Sequence, residues 1–172
     1  TVKEDEPLEK EVAVDPEMLG KVFENLLEIK DRKSKGTYYT PREIVHYMCQ
    51  RSLMNYLDTA INKGKEIVSR SDIEVFVQSF EQYSFFEAAK EAGTKRKDYP
   101  LPPKSIKEHA RLLDEKLAAI TVCDPAVGSG AFPVGMMTEI VRARMSLTPY
   151  FNDVHERTAY HFKRHAIQNC LY

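Results

Sequence analysis

The residues best suited to hold a polar ligand run Asp124-Pro125-Ala126-Val127-Gly128-Ser129-Gly130. They follow Ala119-Ile120-Thr121-Val122-Cys123, a nearly continuous apolar and β-branched run with the signature of a strand buried on both faces. Phe132, Met136, Met137, Ile140 and Val141 then return at helical spacing. A strand, a tight turn and a helix N-terminus are therefore expected in succession. Gly128 and Gly130 permit positive φ and let the main chain come close to a ligand. The helix start offers unpaired N–H donors, and Asp124 puts an acceptor at the strand's carboxyl end. The same pattern also serves as an ordinary strand-to-helix turn, with Asp124 capping it.

The loop's chemistry narrows the ligand. No Lys follows the glycines as a phosphate-binding GxxxxGK[ST] loop requires, so nucleoside triphosphates are disfavoured. A dinucleotide fingerprint would want Gly or Ala where Pro133 stands. Pyrophosphate would also face the Asp124 carboxylate, anion against anion. A ligand with a cationic centre suits that carboxylate, and S-adenosylmethionine carries a sulfonium and an α-amino group.

A second candidate precedes the loop. Thr40-Pro41-Arg42-Glu43 has the form of a capping box, in which the Thr40 hydroxyl accepts from the Glu43 amide and the Glu43 carboxylate reaches back. Proline at the first helical position reinforces it. The open N–H groups of such a helix suit a carboxylate.

Together these segments resemble a known family. Asp124 to Phe132 is similar to the S-adenosylmethionine-binding motif of adenine-specific DNA methyltransferases, and Gly36-Thr37-Tyr38-Tyr39-Thr40-Pro41-Arg42-Glu43-Ile44-Val45 to their other cofactor motif. The order of the two is that of gamma-type enzymes. The lead-in Asp15-Pro16-Glu17-Met18-Leu19-Gly20 with Val22-Phe23-Glu24-Asn25-Leu26-Leu27 is similar to type IIG restriction–modification enzymes and their relatives in phage defence. The likeness covers about residues 15–57 and 105–172. It implies that Thr40, with Tyr39 and Pro41 beside it, meets the cofactor's methionine carboxylate. Asp124, Pro125 and the backbone of Ala126, Gly128, Ser129 and Gly130 would hold the methionine amino group. Phe132 would pack near the cofactor or close the loop. Val127 departs from the family, where Cys is frequent.

The resemblance further implies methyl transfer to the exocyclic amine of adenine, on a base flipped from double-stranded DNA. The family's Asn/Asp-Pro-Pro-aromatic catalytic motif does not occur: Pro102-Pro103 is followed by Lys104. No catalytic residue is therefore assigned, and the chain is expected to be an N-terminal part of a longer enzyme, inactive alone. Positioning of the reacting groups can supply about 7–11 kcal/mol.

The elements that position these motifs are mostly helical. Asp15-Pro16 opens a helix with Leu19, Val22, Phe23, Leu26 and Leu27 on one apolar face. After Thr40, the buried stripe should be Ile44, Val45, Met48, Cys49, Ser52, Leu53, Tyr56 and Leu57. Capping boxes at Ser71-x-x-Glu74 and Ser105-x-x-Glu108 start a helix with Ile73, Phe76, Val77 and Phe80 and another with Ile106, Ala110, Leu113 and Leu117. Asn152 is expected to cap a last helix bearing Val154, Ala159, Phe162 and Ile167, and Cys170-Leu171-Tyr172 reads as a second strand. The expected fold is mostly α, with the first strands of a Rossmann-like α/β methyltransferase sheet. Its parts are an acidic tail (1–14), a helical preamble with the first cofactor motif (15–57), a helical insertion with a basic Pro-rich loop (58–104), and a truncated cofactor domain (105–172).

Composition bounds the rest. The 172 residues carry 25 Lys+Arg against 26 Asp+Glu and are 42% hydrophobic, enough for a core. The balance excludes a wholly basic nucleic-acid coat but leaves local patches, of which Lys95-Arg96-Lys97 is the candidate for phosphate-backbone contact. No apolar run approaches a membrane span, and the acidic start has no signal-peptide pattern. Cys49, Cys123 and Cys170 form no CxxC pair, which disfavours structural zinc and disulfides. His161 and His165 share a helix face without a third ligand, so no metal site is expected. A cytoplasmic protein fits these features. The competing view is a helical DNA-binding or interaction module whose glycine loop is only structural.

Overall fold

The computed structural model describes residues 16–26, 40–80 and 102–172. Seven α-helices fill these segments: α1 (Pro16–Leu26), α2 (Arg42–Ile61), α3 (Arg70–Gln78), α4 (Lys104–Glu108), α5 (Ala110–Ala118), α6 (Ala131–Leu147) and α7 (Ala159–Asn169). A 3-10 turn at Thr148–Tyr150 follows α6.

α2 is the spine, about 30 Å long at 1.5 Å per residue. It buries Val45, Cys49, Leu53, Leu57 and Ile61, every fourth residue, with Met54 beside them. Its partners are α3, α5 and α6, and α7 packs on the far side of α6. The expected stripe is thus half right. Val45, Cys49, Leu53 and Leu57 enter the core, but Ile44 and Met48 stay 48% and 47% exposed. Ile73, Phe76, Val77 and Phe80 are all buried, as are Ile106, Ala110, Leu113 and Leu117.

The caps differ from expectation. The N-cap of α2 is Pro41, with no side-chain cap bond, and its carbonyl accepts the Ile44 and Val45 amides. α3 is capped by Ser69, whose Oγ accepts the Asp72 amide at 3.2 Å, while Ser71 bonds Ser69 instead. Ser105 does not cap α4; its hydroxyl donates to Asp72 and ties α4 to α3. The Ser71 and Ser105 hydroxyls thus bond groups other than the helix amides the sequence pattern implied. The stretch expected as one helix from Ser105 breaks at His109 (φ −109°, ψ 22°), whose Nδ1 lies 2.9 Å from the Ser105 carbonyl. Between α2 and α3 the turn is organised by Asn62. Its amide donates to Asp58 and to the Val68 carbonyl, and its oxygen accepts from Ile67 and Val68.

The sheet is the main correction. Among the described residues there is no strand and no sheet, so the expected Rossmann-like strands are absent and these segments are helical. Residues 120–124 lie outside any helix and run beside 170–172, where Val122 forms one isolated parallel bridge to Leu171 and the Asp124 amide reaches the Tyr172 carbonyl. The Val122 amide donates to the Cys170 carbonyl at 2.7 Å and the Tyr172 amide to the Val122 carbonyl at 2.9 Å. A strand needs successive ladder partners. Here Ile120, Thr121 and Val122 meet side chains of α2 across a cavity instead.

Two further expectations shift. The last helix begins at Ala159, capped by Thr158 and not Asn152, and Val154 and Ile167 are exposed while Phe162 and Ala166 are buried. α1 forms from Pro16 onward, yet Met18, Leu19, Val22 and Leu26 are 65%, 37%, 50% and 74% exposed. Asp15, Leu27, Tyr39, the Lys95–Lys97 cluster and the aromatics at 83–86 lie outside the described residues. None of the described helices is long and apolar enough to cross a membrane.

Candidate functional site

Asp124 stands where the extended segment ends. Its amide donates to the Tyr172 carbonyl at 3.3 Å, and its Oδ1 accepts the Ala126 amide at 3.0 Å. That bond bends the chain back over Pro125 as an Asx turn and leaves Oδ2 available as an acceptor. Asp124 is half-buried, whereas Pro125 to Gly128 are exposed.

The loop then tightens. Gly128 has φ +52° and Gly130 φ +85°, the left-handed region that side chains resist. The Gly130 amide donates to the Val127 carbonyl at 2.8 Å, closing the turn. A Cβ on Gly130 would meet nothing within 4 Å, so the loop borders open space. Gly130 is itself the N-cap of α6, and no side chain caps that end. The first turn of this 17-residue helix therefore keeps the amides of Ala131 and Phe132 without a side-chain cap, while Pro133 has no N–H to offer. Carboxylate acceptor, glycine cradle and open helix end lie within seven consecutive residues.

Beside the loop is a cavity of about 230 Å³, lined by Met48, Cys49, Ser52, Tyr56, Ile120, Thr121, Val122, Phe132 and Met136. It is mostly apolar and smaller than the roughly 300–1,000 Å³ of small-molecule sites, so it suits one end of a nucleoside-sized ligand. Tyr56 is held there by its hydroxyl, which donates to the Lys116 carbonyl at 2.9 Å. Phe132 is half-buried on the cavity wall, and the Cys49 thiol reaches its carbonyl at 3.7 Å. Burial, with help from Glu139, pushes the Cys49 thiol up to about 11, so it is an inert packing group and no nucleophile.

The arrangement of α2 decides which residues face this loop. His46 meets Glu139, while Cys49 meets Phe132. Rising numbers on α2 thus meet falling numbers on α6, and the Thr40 end of α2 leads away from the glycines. Thr40 stands nine residues before Cys49, about 13 Å along the axis. It is half-buried and does not line the cavity. Of the expected cofactor residues Phe132 lines the cavity, with Met48, Ser52 and Tyr56 of α2; Asp124, Gly128, Ser129 and Gly130 follow the segment that forms another of its walls.

Several polar groups escaped the sequence reading. Glu139 is 2% exposed, with Oε1 3.1 Å from His46 Nδ1 and 3.3 Å from Arg142, and Oε2 has no hydrogen-bond partner. Burial raises its carboxyl above the ordinary range against the pull of His46 and Arg142. Asp114 receives both Arg144 and Arg157 through four N–H···O contacts of 2.9–3.4 Å. The signal was present: Glu139 sits between Met136 and Ile140, and Asp114 beside Leu113, so each charge falls on an apolar stripe.

These features describe a helical protein with a tight glycine loop at the start of α6. No protein-family model and no solved structure matches the chain. A protein of Methanocaldococcus jannaschii, provisionally named as a type II restriction enzyme and methyltransferase, is 29% identical over 166 residues. That alignment covers 95% of this chain but 13% of the relative's length. The likeness supports a relationship to restriction–modification proteins.

Proposed function

We propose that this chain carries the methyl-donor site of a DNA methyltransferase in a restriction–modification or phage-defence system, and that the methyl acceptor is the exocyclic amine of adenine. The carrying observation is the loop Asp124–Gly130, with both glycines at positive φ and an uncapped helix N-terminus behind it. The M. jannaschii relative supports the methyltransferase class and DNA as substrate; adenine as the target rests on the motif resemblance.

S-adenosylmethionine, when bound, supplies an activated methyl group on a sulfonium. The chain's own residues bind and orient. Asp124 accepts from the ammonium through the oxygen not engaged with Ala126, and ionic acceptors form the stronger hydrogen bonds. The α6 N-terminus stabilises the carboxylate through its free amides. Phe132, Met136 and Met48 exclude water from the apolar part. Contact of Tyr39, Thr40 and Pro41 with the methionine carboxylate rests on the resemblance alone. Because no Asn/Asp-Pro-Pro-aromatic motif is present in these residues, their part is to hold the donor, with the reacting base positioned by residues elsewhere.

Calorimetric titration with S-adenosylmethionine tests this. Saturable heat that vanishes in Asp124→Ala and persists in Thr40→Ala is expected if Asp124 carries the ammonium. A chain that retains its helical circular dichroism yet gives no heat overturns the reading.

A further inference from the structure

A second cavity, of about 400 Å³, shares no lining residue with the first. Its walls include Arg144 of α6, Arg157 of the preceding loop and His161 of α7. The two arginine side chains are 11% and 10% exposed, and a single carboxylate, Asp114, serves both. One positive charge is therefore left over in a nearly dry site. Uncompensated buried charge is costly, and both arginines are further locked in place. Arg144 lies 4.2 Å from the centre of the Phe162 ring, and Arg157 3.7 Å from that of Phe151.

Donors remain. Arg144 spends Nε and Nη2 on Asp114, and its Nη1 has no acceptor among the described residues. At His161 the ring is held by Thr158. The Thr158 Oγ1 accepts the His161 amide and lies 2.8 Å from the ring Nδ1. In the tautomer in which Thr158 donates to Nδ1, as in the protonated ring, Nε2 carries a hydrogen and is a donor. Asp153 and Glu156 also line the cavity, and both are exposed. Their repulsion of an anion is screened by water, whereas the field of the buried arginines is not.

We propose that this cavity binds the phosphate of a phosphate ester, through Arg144 Nη1 and His161 Nε2–H, with Arg157 setting the potential. The ester is either a free nucleotide or the backbone of a nucleic acid, and the site is independent of the methyl-donor reading.

The test follows the side-chain nitrogens of His161 and Arg144 by NMR on the full 172-residue chain. Adenosine monophosphate and inorganic phosphate are titrated separately, and a short DNA duplex in a third arm. Saturable shifts are expected at both nitrogens. His161→Ala, at an exposed position, should weaken binding about tenfold, while Asp153→Asn with Glu156→Gln should tighten it. Shifts with the nucleotide identify a free ester; shifts with the duplex that fade steeply with salt identify a backbone. Overturning results are no shift in a folded chain, binding of inorganic phosphate but neither ester, or the same affinity in both variants as in the parent.

Discussion

His46 Nδ1 stands 3.1 Å from Oε1 of Glu139, a carboxyl only 2% exposed, and the pair joins the N-terminal part of α2 to the middle of α6. Burial raises the Glu139 carboxyl above its ordinary 4.5, and His46 and Arg142 do not cancel that rise. The folded chain then keeps a proton that the unfolded chain releases. Stability is fullest below the unfolded value and declines as pH rises through the folded one. Glu139→Gln should flatten that decline, measured as melting temperature against pH. An unaltered slope would contradict it.

Asp114 behaves in the opposite sense. Burial alone would raise its carboxyl, but the hydrogen bonds and charges of Arg157 and Arg144 prevail and hold it below the usual range. Its contribution is present above the ordinary value and is lost as pH falls through the folded one. Asp114→Asn leaves two nearly buried guanidiniums facing each other and should cost about 3–5 kcal/mol. Urea unfolding reads this directly, and an unchanged midpoint would refute it.

Gly135 packs α6 directly against α2. A Cβ there would come within 3.0 Å of both Cys49 Sγ and Val45 Cγ1, which are buried at 2% and 4% exposure. Alanine gains about 1 kcal/mol of helix propensity, but a stiff β-branched neighbour cannot yield easily. Gly135→Ala should therefore destabilise by about 1–2 kcal/mol. Adding Cys49→Ala should return part of that loss, and strict additivity of the two would show that they do not share the contact.

Gly130 offers the reverse case, with space but the wrong backbone. At φ +85° an alanine meets nothing within 4 Å, so only the left-handed conformation costs, about 1–2 kcal/mol. Gly130→Ala should fold with slightly lowered stability and a weakened methyl-donor response. Equal donor affinity in variant and parent would separate the loop from the ligand.

Much of the helical core was legible because apolar spacing survives any local rearrangement: Ile73, Phe76, Val77 and Phe80 are buried as their period requires. Caps were less so. Ser71, Ser105 and Thr40 all fit a capping pattern, but hydroxyls choose among neighbours that only the tertiary structure supplies, such as Asp72 for Ser105. The expected strand at 119–123 failed for a related reason. An apolar β-branched run marks a strand buried on both faces, yet Thr121 and Cys123 are exposed, Val122 is half-buried, and Leu171 is its one bridge partner where a sheet needs a ladder. At the site, the glycine loop was readable from local sequence, since positive φ at Gly128 and Gly130 is a local demand. The opposed running of α2 and α6, which sets Met48, Ser52 and Tyr56 beside that loop, is a long-range choice with no local signature.

The most direct measurement is an amide chemical-shift map of the 172-residue chain titrated with S-adenosylmethionine. Shifts clustered on Asp124–Phe132 and spreading to Met48, Ser52 and Tyr56 are expected. A folded chain whose loop amides stay still, or whose shifts gather instead around Arg144 and His161, contradicts a methyl-donor site at the glycine loop.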